Sequence, residues 1–150
     1  MRPAAGRLVL TVAGGKALDR PAHETLHLLW RAWQKARFDE LLRISGIRGV
    51  STLGYGLSEP PKRRRRIASA LGECPAGKWI PVDDFFDHIR AAGHDFWVTR
   101  DPSRLFLEDY FKPQPLDLWS ENERWLILQG RYTLCGLFEY VSTLGMLDVS

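Results

Sequence analysis

The chain has 150 residues, 45% of them apolar and 26% charged, the balance of a globular protein long enough to bury a core. No run approaches the about 18 apolar residues that a membrane-spanning helix needs, and two cysteines, Cys74 and Cys135, are too few for a disulfide-built scaffold. The net charge of +3 hides an asymmetry: residues 1–78 carry 15 Lys and Arg against 6 Asp and Glu, whereas residues 79–150 carry 6 against 12. A basic half of this kind gathers nucleic acid or another polyanion, or else attracts the acidic half.

Arg7 to Leu18 opens as a short β-rich run that Gly14-Gly15 is expected to break. Pro21 suits a first helical position, and Leu26, Leu29, Trp30 and Trp33 then form a helical stripe to about Ala36. Asp39 can cap a further turn through Glu40, Leu41, Leu42 and Ile44. Ser45 to Glu59 contains Gly46, Gly49, Gly54 and Gly56 and reads as an irregular linker, which places a domain boundary between residues 57 and 58. Pro60-Pro61 starts a second helix through KRRRRIASALGE, with Ile67, Ala70 and Leu71 inward.

A turn at Cys74–Gly77 leads to an extended piece, Lys78 to Val82, anchored by Trp79 and Ile80. The next helix sets Val82, Phe85, Phe86 and Ile89 on one face and stops at Gly93. Phe96–Val98 and Leu105–Tyr110 are candidate strands. Ser120 and Glu123 have capping-box spacing and mark the start of the longest helix near Glu121. Within it Leu134, Leu137, Phe138, Val141 and Leu144 form one face, widened by Tyr132, Cys135, Met146 and Leu147, so it is expected to be buried on several sides. Gly130 is expected to bend or split it, Gly145 to close it, and Met146–Val149 to begin a strand. Trp30, Trp33, Trp79 and Trp125 all fall at apolar positions and read as core.

The piece LTVAGGKAL (Leu10–Leu18) resembles the last wing strand of winged-helix proteins, and TLGMLDV (Thr143–Val149) resembles the junction of a long helix and a first wing strand. With the order helix, short strand, helix, irregular strands, long helix, strand, the chain resembles part of a tandem winged-helix protein. The resemblance implies a mostly α fold with short β segments (α+β), in two modules with the first incomplete: a wing-strand remnant, helical segment and linker over residues 1–57, and a winged-helix-like module over 58–150. It implies DNA binding, or less often a protein–protein contact. It also implies an excerpt of a longer chain, in which Leu8–Val12 would pair with Met146–Val149 within one chain or across a homodimer, or else both would fray.

Three groups of residues invite chemistry. His23-Glu24-Thr25-Leu26-His27 fits H-E-x-x-H, whose two imidazoles can hold zinc while the glutamate activates water. Its place in the first turn of a helix, with Trp30 and Trp33 where a glycine and third histidine would extend the motif, favours a plain polar helix start. Glu40, Glu59 and Glu73 are equivalent as third ligands by spacing. Asp83, Asp84, Asp87 and His88 share a helix, but the first two suit its N-terminus and the others water; His94 reads as a polar turn residue.

The third group is Lys62 to Arg66, five cations in the opening turn of a helix, where the macrodipole favours anions. Phosphate would relieve both that opposition and the mutual repulsion. The long helix carries only Arg131 as a cation over Gly130–Gly145 and offers little to base edges. The expectation is therefore a non-enzymatic, cytoplasmic nucleic-acid-binding protein that touches backbone phosphates, DNA above all, through Lys62, Arg63, Arg64, Arg65 and Arg66, with Arg43 and Arg48 extending the patch. No catalytic residue, bound metal or cofactor is expected. The alternatives are a winged-helix protein-interaction module and a small zinc peptidase on His23 and His27.

Overall fold

Ser120 starts the longest helix as its spacing predicts. Its hydroxyl accepts from the Glu123 amide at 3.3 Å, and the Glu123 carboxylate accepts from the Ser120 amide at 3.0 Å, which closes a capping box. In the computed structural model, which describes residues 2–4, 7–50, 56–108 and 113–150, this helix (α5) runs over 121–141. It is not uniformly α: Leu126–Gly130 and Gly136–Val141 are π turns separated by an α segment, Arg131–Cys135. Gly130 therefore sits in a widened turn and does not split the helix.

Each π turn absorbs an extra residue, so the buried face drifts away from a strict α period. Trp125, Leu128, Tyr132, Leu137 and Val141 are buried, whereas Phe138, expected inward, is exposed. Past the helix, the Met146 amide reaches the Val141 carbonyl at 3.1 Å and the Gly145 amide reaches Ser142 at 2.8 Å, with Gly145 at φ +68°. This pair of bonds is a Schellman closure, the stop expected of Gly145.

A hairpin, β1 (Arg2–Ala4) and β2 (Arg7–Val9), pairs Arg2 with Val9, Pro3 with Leu8 and Ala4 with Arg7. This corrects the expected pairing of Leu8–Val12 with Met146–Val149. The latter forms no strand, and a hairpin closes a far smaller loop than a pairing across the whole chain. Helix α1 (Val12–Leu18) then passes through Gly14-Gly15 instead of breaking there, because the Thr11 hydroxyl caps it by accepting from the Gly14 amide at 3.1 Å.

Helix α2 (Ala22–Lys35) buries Trp33, half-buries Leu26 and Trp30, and leaves Leu29 exposed. Asp39 caps a 3₁₀ turn, Glu40–Arg43, as expected, accepting from the Leu41 amide at 3.0 Å. Strands β3 (Ile47–Arg48), β4 (Phe106–Leu107) and β5 (Gln114–Pro115) form a three-stranded antiparallel sheet in that order. Ile47 faces Leu107, and Phe106 faces Pro115, which lacks an amide and sits on an edge strand. Gly49, at φ +91°, lies so close to the Arg104 carbonyl that a Cβ would stand 2.2 Å from its oxygen.

Helix α3 (Pro60–Gly72) buries Arg63, Arg64, Ile67 and Ala70, and α4 (Val82–Ala91) buries Phe85, Phe86 and Ile89. Between them Ile80 turns inward and Trp79 outward, as alternation along an extended segment requires. Trp79 is 71% exposed and is not core; Val82 is also exposed. Phe96 and Val98 are buried, but the only pairing near them among the described residues is an isolated bridge between Leu57 and Thr99. The expected strand over Leu105–Tyr110 shrinks to β4, with residues 109 and 110 outside the described ones.

The protein is thus mostly helical with short β segments, an α+β chain. A single cluster of buried side chains joins Trp33, Leu41, Ile47 and Val50 to Ile67, Phe86, Leu105, Trp125 and Tyr132. The cluster draws side chains from both sides of the boundary expected at 57/58. No helix among the described residues is long and apolar enough to cross a membrane.

Candidate functional site

The five cations of α3 go to two destinations. Arg63 and Arg64 have no exposed surface. Arg64 donates from Nε to Glu40 Oε1 at 2.6 Å, from Nη1 to the carbonyls of Trp33 and Ala36, and from Nη2 to that of Phe38. Its guanidinium also lies over the Phe38 ring at 4.5 Å. Arg63 pairs with Asp39 and stacks over Tyr132 at 4.6 Å, while its Nε and Nη1 are buried without a hydrogen-bond partner. The ring face offsets part of that deficit.

Glu40, also fully buried, accepts from Trp33 Nε1 at 3.0 Å and from the Tyr132 hydroxyl at 2.8 Å. Burial, with the Glu40 charge beside it, holds the Tyr132 hydroxyl well above the ordinary phenol range. Two of the expected phosphate contacts, Arg63 and Arg64, therefore belong to the core and cannot reach a nucleic acid in this fold. The acids of the 39–40 turn, Glu40 buried and Asp39 partly so, explain why the sequence tolerates arginines at the start of a helix.

Lys62, Arg65 and Arg66 point the other way. With Ser69 they line one shallow surface recess. Lys62 meets Glu59 at 3.2 Å on its own helix, and Arg66 Nη1 donates to the Gly93 carbonyl at 3.2 Å. No carboxylate among the described residues stands within ion-pair distance of Arg65 or Arg66. Arg43 is tied to Glu139 at 2.6 Å and Arg48 to Glu108 at 2.8 Å, both exposed pairs. In each the hydrogen bond to the glutamate, ahead of its charge, raises the guanidinium pKa further. Arg43 lines a separate recess with Arg131, Cys135 and Glu139. Of the seven expected cations, three converge.

His23, Glu24 and His27 are exposed in the first two turns of α2. Among the described residues no third ligand joins them. The converging ligand group lies elsewhere, where the ligand atoms of Glu73, His88 and His94 all fall within 4.8 Å of one another. The local fold explains the histidines. Gly93, at φ +75°, ends α4, and the His94 amide reaches back to the Ile89 carbonyl at 3.0 Å. That six-to-one bond folds the residue after the glycine over the last turn, where an apolar pair usually meets. Here His88 and His94 meet, with ring centroids 5.8 Å apart. Glu73, the C-cap of α3, completes the group from across the packed helices. Sequence spacing missed it because Glu73 is remote in the chain; a histidine six residues before another, with glycine just ahead of the second, was the available signal.

Comparison with protein-family models, with curated proteins and with solved structures gave no match to this chain.

Proposed function

We propose that the chain is a non-enzymatic nucleic-acid-binding protein that holds backbone phosphates on the exposed face of α3. The observation that carries this reading is the recess of Lys62, Arg65, Arg66 and Ser69. Three cations and a hydroxyl line it over the first three turns of the helix, and the dipole opposes the one in the first turn, Lys62. The acids of the 39–40 turn that account for Arg63 and Arg64 do nothing for these three. A phosphate would supply the counter-charge that no carboxylate among the described residues gives Arg65 and Arg66, and accept charge-assisted hydrogen bonds. Contacts of this kind position a duplex without reading its sequence, so binding is expected to be nonspecific, with DNA as the first partner to try.

A winged-helix-like architecture belongs to the same proposal, supported by the order of α3, α4, short strands and the long α5. In this version α3 touches the backbone, and α5, whose only cations are Arg124 and Arg131, serves as scaffold. The test is a titration of a mixed-sequence duplex at several salt concentrations, comparing the natural chain with Lys62→Gln, Arg65→Gln, Arg66→Gln. Losing three phosphate contacts should reduce the slope of log K against log salt by about 2.7, at about 0.9 per contact. An unchanged slope removes the proposal.

A further inference from the structure

We infer that Glu73, His88 and His94 form a binding site for a zinc-class divalent transition ion that ties the end of α3 to the end of α4. The two carboxylate oxygens of Glu73 divide between the histidines: Oε2 lies 3.0 Å from His88 Nε2, and Oε1 lies 2.8 Å from His94 Nε2. Zinc at about 2.0–2.1 Å from tetrahedral ligands sets them about 3.3 Å apart; one ligand atom from each of the three residues already lies within 4.8 Å of the others, so side-chain rotations that draw them together would close the shell.

Both imidazoles present the same nitrogen. His88 Nε2 is buried, and despite its nearness to Glu73 it makes no aligned hydrogen bond. A buried nitrogen left in this state is what an ion beside the carboxylate would satisfy. Two imidazoles with one carboxylate select zinc-class ions over magnesium or calcium, which prefer all-oxygen shells. The Glu73 side chain is 50% exposed, which leaves an entry path and room for a water in the fourth position.

The neighbours set limits. Cys74 donates its thiol to the Ala70 carbonyl, and Asp95 accepts from Trp125 Nε1 and the Phe96 amide, so neither turns to the ion. Arg66, on the Gly93 carbonyl, adds a nearby positive charge that weakens cation binding. The site does not depend on the nucleic-acid reading, and a metal titration needs no nucleic acid.

The experiment is titration of the full chain, freed of metal by chelator, with Zn²⁺ by calorimetry and with Co²⁺ by visible absorption. One equivalent is expected in each case, with the intense d–d bands of a four-coordinate ion and a rise in melting temperature on adding Zn²⁺. Single variants Glu73→Gln, His88→Gln and His94→Gln should each weaken binding by at least the about 10–100-fold seen for changes in outer-shell partners. Circular dichroism checks that each variant stays folded. The double variant His23→Gln, His27→Gln should bind as the natural chain does. Absence of saturable one-to-one binding overturns the inference, as does binding that survives loss of both His88 and His94. Binding lost with His23 and His27 instead would move the site to α2 and overturn it too.

Discussion

Arg64 and Glu40 meet at 2.6 Å with neither side chain exposed to solvent. Burying a matched pair of charges contributes little net stability, but removing one partner strands the other. Arg64→Ala should therefore destabilise the fold by about 3–5 kcal/mol. Glu40→Ala should do comparable damage, since it also releases Trp33 Nε1 and the Tyr132 hydroxyl. The double variant should lose less than the two single losses together, by about 0.5–3 kcal/mol. Urea unfolding of the four proteins measures this cycle, and strict additivity would show that the pair is not coupled.

The exposed cations should behave differently. Lys62→Gln, Arg65→Gln and Arg66→Gln should each change stability by no more than about 0.5 kcal/mol, as surface substitutions do. Whatever they do to duplex binding can then be read as binding. Losses like that of Arg64→Ala would show these side chains to be structural.

Gly49→Ala should be costly for a steric reason. The new Cβ would lie 2.2 Å from the Arg104 carbonyl oxygen, on a residue at φ +91°. The strained backbone alone is expected to cost about 1–3 kcal/mol, with the displaced carbonyl adding to it. Thermal unfolding checks this; Gly77→Ala serves as comparison, at φ +70° with nothing near its Cβ.

Burial first, then the charges of Glu139 and Glu40, push the Cys135 thiol up to about 11. At pH 8 roughly one molecule in a thousand carries the thiolate, against roughly a quarter for an ordinary cysteine. Alkylation of Cys135 by iodoacetamide should be correspondingly slow in the folded chain and reach the normal rate in denaturant. Cys74 is raised in the same direction, by burial ahead of Glu73. Rapid labelling of native Cys135 would contradict the burial.

The Ser120 hydroxyl, followed by the Ser120 amide, holds the Glu123 carboxyl below the usual range. A carboxyl depressed by folding stabilises above its unfolded pKa and loses that contribution as pH falls through the folded value. Ser120→Ala should return Glu123 toward its ordinary pKa and flatten stability against pH in the acid range below about 4.3. Carboxyl chemical shifts followed through a pH titration read the change directly.

The helix boundaries were legible because they rest on local chemistry: the Ser120–Glu123 box, Pro60-Pro61, and the positive-φ stops at Gly93 and Gly145. The inward face of α5 was only half legible. Counting by threes and fours from Leu134 predicts Phe138 inside, and the π turn that begins at Gly136 carries it out. The arginine run was legible as an anomaly but not in its division. Nothing local to α3 says that Asp39 and Glu40 wait for Arg63 and Arg64 and not for their neighbours. The Glu73–His88–His94 group was hidden likewise, because its third member comes from another helix.

The Arg64 bonds to the carbonyls of Trp33, Ala36 and Phe38 also bear on how the molecule comes apart. These acceptors close the end of α2, and they are served from a helix that begins more than twenty residues later. Once α3 lifts away, the end of α2 loses the donors that Arg64 supplies, and the 39–40 turn loses both of its counter-charges. The segments around 33–44 and 60–70 should thus open as one cooperative unit, with slow-exchanging amides in both that share one opening free energy. Proteolytic cleavage between them would then nick the chain without freeing either segment.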